Sequence, residues 1–256
     1  MSIKGVIFDL DGLILDTEKL YQRFWREAAR KCGFDMSRET ALALRSLDKT
    51  LARKMLCENF GEGFDFDLVK KTRIELMSAY VDEHGIEAKP GVRELTDHLR
   101  RSGIKTAIAT ATNYERTNDY LTRAGVRDCF ELIFCACDLP HGKPYPDVYL
   151  YACGKLGLSA SECIALEDSP NGVKSAYSAG CKVVCVPDGG VLPLTVPGEF
   201  SASAGLSPRR DVLPSVVSDG VLCGEYEAYG GESIEPYVTA WARSLDEVIG
   251  IIQNIS

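Results

Sequence analysis

The sequence of 256 residues lacks the features that would place it in a membrane or on nucleic acid. No apolar stretch approaches the roughly 18 residues of a membrane span, and the chain reaches Asp9 and Asp11 before the apolar region of a signal peptide could form. Basic residues are few, 29 against 37 acidic ones, and the net charge of −8 disfavours binding to nucleic acid or to an anionic membrane. We therefore expect a cytoplasmic protein in which local groups attract any anionic ligand.

Histidine is scarce, and the cysteines do not form a disulfide framework. His84, His98 and His141 lack the spacing of metal ligands, and we expect His84 and His98 on ordinary helix faces. The ten cysteines lie in apolar runs, as in Cys135-Ala136-Cys137, where strand packing is expected, and not in a small loop-rich frame. They are interpreted as buried free thiols in a reducing compartment.

The remaining composition is that of a globular protein, with 45% hydrophobic and 26% charged residues. Four short apolar runs predict fully buried strands at residues 5–8, 105–109, 163–166 and 182–186. Stretches with helical periodicity, each stopped by a glycine, cover residues 90–103, 114–125, 146–157 and 171–180. This alternation predicts an α/β fold, with a doubly wound parallel sheet and helices on both faces.

Two segments depart from that alternation. Residues 16 to about 85 show helical periodicity and no convincing strand, which predicts an all-helical insertion after the first strand. Residues 187–236 contain 6 Pro, 8 Gly and 6 Ser and are expected to be loop-rich, with a hairpin around 221–229. We predict a catalytic core of residues 1–15 and 88–256, a helical cap domain of residues 16–87, and a loop-rich insertion at 187–240 within the core.

Polar side chains follow three of the predicted strands where they end. Asp9 and Asp11 follow the first strand, Thr110 ends another, and Glu167 and Asp168 follow a third. Ligands of open α/β sheets bind beyond the carboxyl ends of the strands, so these groups should converge on one crevice. Four carboxylates so close together cannot all stay ionised without a cation, and oxygen ligands without His or Cys favour Mg²⁺.

The same residues suit phosphoryl transfer. The Thr110 hydroxyl and the Lys143 ammonium are suited to hold oxygens of a phosphoryl group. A carboxylate nucleophile would form an aspartyl-phosphate, while a second carboxylate protonates the leaving oxygen and then activates water. Asp9 fits the first role and Asp11 the second. Each residue alone has an ordinary explanation, such as a turn or a helix cap, so the hypothesis depends on their joint order.

Four motifs, taken in order, resemble the haloacid dehalogenase superfamily, in its phosphatase branch with a helical cap, close to the beta-phosphoglucomutase-like group. The motifs are Phe8-Asp9-Leu10-Asp11-Gly12-Leu13 with Leu15-Asp16-Thr17, Ala109-Thr110, His141-Gly142-Lys143-Pro144, and Leu166-Glu167-Asp168-Ser169. The resemblance covers roughly residues 3–188 and the final helix, and it implies a Rossmann-like core.

The resemblance also implies a role for each motif residue. Asp9 would be the nucleophile and a metal ligand, and Asp11 the general acid/base with its carbonyl on the metal. Thr110 and Lys143 would hold the phosphoryl group. Asp168, with help from Glu167, would complete the Mg²⁺ site.

The leading hypothesis is a Mg²⁺-dependent phosphatase for a small phosphorylated metabolite, such as a sugar phosphate or a nucleotide-like compound. A sugar phosphomutase and a phospho-acceptor or regulatory binding protein remain alternatives. A dehalogenase is disfavoured, because Asp11 and the pair Glu167-Asp168 would then have no role. Binding of a protein partner by the 187–240 insertion is a further alternative.

Substrate choice is expected to depend on the cap, and the candidate residues there are Tyr21, Arg45, Lys49 and Lys54. Amphipathic cap helices would also place such residues on an ordinary solvated surface. Mutases of the resembling group carry a gating His on the first cap helix and a Gly-x-x-Arg loop. Here Tyr21 takes the His position, and residues 44–49 contain no glycine. A tyrosine, with its usual pKa of about 10, cannot gate a proton near neutral pH. We therefore expect hydrolysis and not isomerisation.

Overall fold

Short runs of β-branched and small apolar residues form a parallel sheet in the computed structural model, which describes residues 2–188, 227–228 and 232–255. The strands are β1 (Gly5–Phe8), β2 (Lys105–Thr110), β3 (Ile133–Cys135), β4 (Cys163–Glu167), β5 (Lys182–Cys185), β6 (Glu227–Ala228), β7 (Glu232–Ser233) and β8 (Ala240–Trp241). Six of them form one sheet in the order β3-β2-β1-β4-β5-β8, with every pair parallel. The predicted α/β fold with a doubly wound parallel sheet is confirmed.

Side chains alternate between the two faces of this sheet, and helices cover both faces. Val6 and Phe8 of β1 belong to one apolar cluster, whereas Ile7 belongs to the cluster on the other side. The four predicted strands are present, one with the predicted ends and three with a carboxyl end that differs by one residue. β3 and β8 add the two edges, and Cys135 lies at the end of β3 as expected.

Nine α-helices lie in the described residues. They are α1 (Glu18–Lys31), α2 (Arg38–Ala43), α3 (Lys49–Phe60), α4 (Phe66–His84), α5 (Val92–Arg101), α6 (Tyr114–Arg123), α7 (Asp147–Leu156), α8 (Pro170–Ser178) and α9 (Leu245–Ile255). The first four make up the predicted helical insertion between β1 and β2. Ser37, Asp48 and Asp65 cap α2, α3 and α4 with side-chain oxygens, which explains where these helices begin. The division into a core and a cap domain with the boundaries given above stays a prediction.

The loop-rich segment falls mostly outside the described residues. Of the hairpin expected at 221–229, only Glu227–Ala228 is described, and it pairs in antiparallel fashion with Glu232–Ser233. The rest of that hairpin and most of the 187–240 insertion lie outside the described part of the chain.

The cysteine prediction needs a correction. The nine described cysteines are all free, but Cys32 and Cys57 are half-buried and Cys137 is exposed. Cys137 was expected to pack in a strand. It lies instead in the 3-10 helix Ala136–Asp138, where the chain turns away from the sheet after β3. Within the described residues, no helix is both long and apolar enough to cross a membrane.

Candidate active site

Asp9 stands at the carboxyl end of the central strand β1. Its N–H donates to the carbonyl of Leu166 at 3.0 Å, which extends the pairing with β4 and fixes the start of the loop. The side chain is 1% exposed. Its Oδ1 accepts a hydrogen bond from Lys143 at 2.5 Å, while the buried Oδ2 has no hydrogen-bond partner among the described residues. One carboxylate oxygen is therefore held and the other is available.

Lys143 joins the ends of three strands. Its fully buried Nζ donates to Asp9 Oδ1 and Glu167 Oε1 at 2.5 Å each and to the carbonyl of Ala109 at 3.1 Å. Burial alone would lower the pKa of Lys143, but the charges of Asp9 and Glu167 together outweigh burial and raise it. The side chain therefore stays an ammonium and neutralises part of the acidic site.

Glu167 ends β4, and both of its oxygens have partners. Oε1 accepts from Lys143 and from Tyr149 OH at 2.5 Å, and Oε2 accepts from Ser169 Oγ at 3.2 Å. Burial, opposed by the charge of Lys143, raises the pKa of Glu167 to about 7. A Cβ at Gly172 would lie 2.0 Å from this carboxylate, so α8 can approach only with glycine there. The sequence analysis assigned no role to Tyr149 or Ser169.

Asp168 is buried, and its oxygens are unpaired. Neither Oδ1 nor Oδ2 has a hydrogen-bond partner in the described part of the chain. Burial and then the charge of Asp9 raise the pKa of Asp168 well above its usual range. Gly12, with φ of +89°, passes so close that a Cβ there would lie 2.2 Å from Asp168 Oδ2. The Asp-Gly turn after β1 therefore makes room for this carboxylate.

Asp9, Glu167 and Asp168 together form a buried acidic cluster. One oxygen from each lies within 4.8 Å of the others. The set fits a hard cation, because all donors are oxygens and three of them, Asp9 Oδ2 and both oxygens of Asp168, have no described partner. Of the metal residues predicted, Asp9 and Asp168 offer free oxygens and Glu167 does not. The carboxylate of Asp11 lies outside this group of three.

Asp11 is held by two hydroxyl groups. Thr17 Oγ donates to its Oδ1 and Thr112 Oγ donates to its Oδ2, each at 2.8 Å. Burial and the charge of Asp9 raise the pKa of Asp11 in spite of these bonds. The result is an oriented carboxyl group that is easier to protonate than a free aspartate. Neither threonine was predicted to act here, although Thr17 lies in a quoted motif.

Thr110 lies buried at the same edge, at the end of β2. Its Oγ accepts from the N–H of Thr112 at 3.0 Å and so shapes the turn that brings Thr112 to Asp11. The predicted convergence of strand ends is seen for Asp9, Glu167 and Asp168. A phosphoryl-binding role for Thr110 stays a prediction.

The helical insertion adds some of the expected specificity residues and not others. Tyr21 OH lies 3.3 Å from Thr112 Oγ, and burial raises the pKa of this phenol. The positive charge of Arg45 opposes the rise in the pKa of Asp168, so Arg45 acts on the acidic cluster. Lys49 and Lys54 are exposed and pair with Asp67 at 3.7 Å and Glu58 at 3.9 Å.

Glu18 is a further candidate that the sequence analysis missed. It is 4% exposed in the first turn of α1, and burial raises its pKa to about 8 although the charge of Arg45 opposes the shift. The charges of Asp11 and Asp9 also act on it, so it lies beside the site. Its position next to Asp16-Thr17 was the only available signal.

Three hydrogen bonds tie the loop before α3 to the site. Asn171 Nδ2 donates to the carbonyl of Arg45 at 2.8 Å. The N–H of Gly142 donates to Asp48 Oδ2 at 2.9 Å, and the N–H of Asp48 donates to the carbonyl of Lys143 at 2.7 Å. The helical insertion thus contacts the two segments that carry Lys143 and Asp168.

Known proteins that are similar to this chain point to one family. Residues 3–180 match the haloacid dehalogenase-like hydrolase family. Hexitol phosphatase A of Escherichia coli is 34% identical over 191 residues, which cover 73% of this chain and 84% of that protein. The structure of CbbY from Rhodobacter sphaeroides, solved in complex with phosphate, is similar with 28% sequence identity and a TM-score of 0.61. The match covers 72% of this chain and 86% of the CbbY chain.

A structure of beta-phosphoglucomutase from Clostridium difficile is similar as well, with 25% identity and a TM-score of 0.62. The match covers 72% of this chain and 84% of the mutase chain. The resemblance drawn from the four motifs is confirmed, since the family match spans more than half of the sequence. The predicted class of enzyme is confirmed with it. The chain belongs to the haloacid dehalogenase-like hydrolase family.

Proposed function

We propose that this chain is a Mg²⁺-dependent phosphatase that hydrolyses a small phosphorylated metabolite through an aspartyl-phosphate on Asp9. The observation that carries the proposal is the state of the Asp9 carboxylate. Lys143 holds Oδ1 at 2.5 Å, and Oδ2 is buried and unpaired beside an acidic cluster at the edge of the sheet. The name of the relative hexitol phosphatase A supports a phosphorylated sugar or polyol as substrate.

Asp9 acts as the nucleophile in this proposal. Its Oδ2 attacks phosphorus, a new O–P bond forms, and the bond from phosphorus to the ester oxygen breaks. The Lys143 ammonium keeps the carboxylate in one orientation and offsets negative charge at the reacting centre. Thr110, at the same edge, and Lys143 are the groups we assign to the phosphoryl oxygens.

Asp11 handles the protons. Its raised pKa favours the protonated carboxyl group, which gives its proton to the leaving alcohol. The carboxylate then takes a proton from water, and the resulting hydroxide attacks phosphorus and releases phosphate from Asp9. Thr17 and Thr112 keep Asp11 in place through both half-reactions.

Asp9 and Asp168, with the main-chain carbonyl of Asp11, would hold Mg²⁺, and Glu167 would support them from its bonds to Lys143 and Tyr149. The bound cation would supply positive charge that lets a phosphate approach the carboxylates. The fit rests on the three unpaired oxygens of Asp9 and Asp168.

Asp9→Asn tests the nucleophile. We expect turnover of p-nitrophenyl phosphate to be lost while the unfolding curve stays near that of the parent, because an amide is nearly isosteric and a far weaker nucleophile. Asp97→Asn, an exposed acid on α5, is the matched control and should keep the parental rate. Turnover by Asp9→Asn within about tenfold of the parent would show that the covalent step is wrong. No turnover by the parent on any phosphate ester would favour the phospho-acceptor alternative.

Hydrolysis is favoured over isomerisation by Tyr21. The phenol occupies the position next to Thr112 and Asp11, and its raised pKa keeps it protonated near neutral pH, so it cannot take up and release a proton as an imidazole does. Water therefore completes the second half-reaction. The assay supplies β-glucose 1-phosphate with its bisphosphate activator and measures both products. Glucose 6-phosphate formed faster than inorganic phosphate would support the mutase instead.

A further inference from the structure

Three cationic side chains lie close enough to act on one another electrostatically. They are Lys70 and Arg73 of α4 and Arg116 in the first turn of α6. None of the three forms an ion pair within the part of the chain that is described. Asp67 lies on the same helix, but its carboxylate is taken by Arg53, at 2.7 Å, and by Lys49.

Arg73 is the deepest of the three. It is 5% exposed, and its Cζ lies 5.0 Å from the centroid of the Tyr21 ring and 5.1 Å from that of Trp25. Its Nε is buried without a hydrogen-bond partner among the described residues. Burial and then the charge of Arg116 lower the pKa of Arg73, although Tyr21 and the charge of Asp11 oppose that shift. Packing on two rings explains part of its position but leaves the buried donor unsatisfied.

Lys70 and Arg116 extend this cluster on both sides of the boundary between insertion and sheet. Lys70 lies three residues before Arg73, so both side chains leave α4 on one face. Its pKa is lowered by burial and then by the charge of Arg73, and Arg116 contributes in the same direction. Arg116 is half-buried and belongs to the helix that follows β2. Cations that disfavour one another remain together at a stability cost, unless an anion joins them.

The position of the cluster relative to Asp11 indicates what such an anion would be. Arg73 packs on Tyr21, Tyr21 OH lies 3.3 Å from Thr112 Oγ, and Thr112 donates to Asp11 at 2.8 Å. Asp11 is the residue that we assign to the leaving oxygen. The cluster therefore lies beyond the leaving group and not at the phosphoryl group, which belongs to Asp9 and Lys143.

We propose that Lys70, Arg73 and Arg116 bind a second anionic group, a phosphate or a carboxylate, on the leaving-group part of the substrate. This inference rests on the proposed phosphatase function and narrows it to phosphate esters that carry a second negative group. A guanidinium fork on each arginine suits the paired oxygens of either anion.

Two matched pairs of substrates test the inference. Fructose 6-phosphate and fructose 1,6-bisphosphate differ by a phosphate, and glycerol 3-phosphate and 3-phosphoglycerate differ by a carboxylate. For at least one pair we expect kcat/KM to be about 10- to 100-fold higher for the member with the second anion, the size of one or two charge-assisted hydrogen bonds. The pair that shows the preference identifies the anion.

Arg116→Gln and Lys70→Gln should each reduce that preference by about tenfold, mainly through KM for the doubly charged member. Arg73→Gln should reduce it further, and Arg73→Lys should recover part of it. Arg101→Gln, an exposed arginine on α5, is the control and should keep the parental preference. Because Arg73 is buried and its variants could fail to fold, the two more exposed positions decide the outcome.

The failures of the two proposals differ. Parental hydrolysis of p-nitrophenyl phosphate with no preference in either pair, or a preference that Arg116→Gln and Lys70→Gln leave within twofold, would overturn the anion site alone. No hydrolysis of any ester, p-nitrophenyl phosphate included, would overturn the proposed function and this inference with it.

Discussion

Asp48 connects the helical insertion to the segment of Lys143, and removing that connection should lower both stability and activity. Its Oδ1 caps α3 by accepting from Thr50 and Leu51, at 2.7 and 3.3 Å, and its Oδ2 accepts from the buried N–H of Gly142 at 2.9 Å. Asn has one carbonyl oxygen in place of two carboxylate oxygens. Asp48→Asn can therefore keep the helix cap or the bond to Gly142, but not both.

The magnitude follows from the donor that is left unpaired. A buried N–H without a partner costs about 1–3 kcal/mol, so the free energy of unfolding should fall by that amount. Gly142 directly precedes Lys143, which holds Asp9, and the loosened loop should reduce kcat/KM by a comparable factor of about 5 to 150. Asp48→Ala loses the cap as well, a further loss of about 0.5–2 kcal/mol.

Asp65 provides a matched control. It caps α4 by accepting from Leu68 at 3.0 Å and is exposed, so Asp65→Asn keeps a good capping residue. Urea unfolding and steady-state hydrolysis of p-nitrophenyl phosphate would compare the two Asn variants. Free energies of unfolding that agree within about 0.5 kcal/mol, with kcat/KM values within twofold, would refute the assigned role of the Asp48–Gly142 bond.

Three further predictions concern the acidic site. Excess EDTA should abolish turnover, and Asp168→Ala should raise the Mg²⁺ concentration needed for half-maximal rate by at least about tenfold, since it removes two of the three free oxygens; full activity in EDTA would rule out the metal. Gly12→Ala should cost at least about 1–3 kcal/mol in urea unfolding, and more than Gly33→Ala, because both glycines have φ of +89° but only at Gly12 would a Cβ meet a neighbour, Asp168 Oδ2 at 2.2 Å; equal losses would contradict the clash. Burial raises the pKa of Glu18 to about 8, so the free energy of unfolding of the metal-free protein should fall as this group ionises between pH about 4.5 and 8. Glu18→Gln should therefore become more stable relative to the parent as the pH rises through that range. A difference in the free energy of unfolding that does not change with pH would disprove the shift.

The strand ends were predictable because they depend on two local rules. Buried parallel strands appear as short apolar runs, and the carboxyl ends of such strands meet at one edge. The observed register pairs Phe8 with Leu166 and with Ile108, so the residues after them become neighbours. The closeness of Asp9 to Glu167, and to Asp168 one residue later, follows from this rule alone. The close approach of Gly12 to Asp168 does not follow from the rule, because it depends on how the chain turns after β1.

The residues from helices were not predictable in the same way. Periodicity identifies the faces of a helix but not what lies opposite each of them. Arg45 and Lys49 are both basic and four residues apart, yet Arg45 lies near Asp168 while Lys49 is exposed and pairs with Asp67. Arg73 was not predicted from the sequence. A basic residue in the middle of a helix is normally exposed, whereas here α4 turns Arg73 towards Tyr21 and Trp25.

Glu167 shows most clearly what the order of motifs leaves open. Four carboxylates at one sheet edge imply a need for positive charge. The order of motifs does not show which of the carboxylates meets Lys143 and which meets a metal ion. Lys143, Tyr149 and Ser169 together satisfy Glu167. Asp9 Oδ2 and both oxygens of Asp168 are buried without described partners, so these are the carboxylate oxygens that still require positive charge. Glu167 therefore belongs to the group that positions Lys143, and Asp9 and Asp168 to the group that awaits a cation. Side chains that all carry a carboxylate acquire these different roles from the donors around them, which come from the loop before α7, from α7 itself and from the residue before α8.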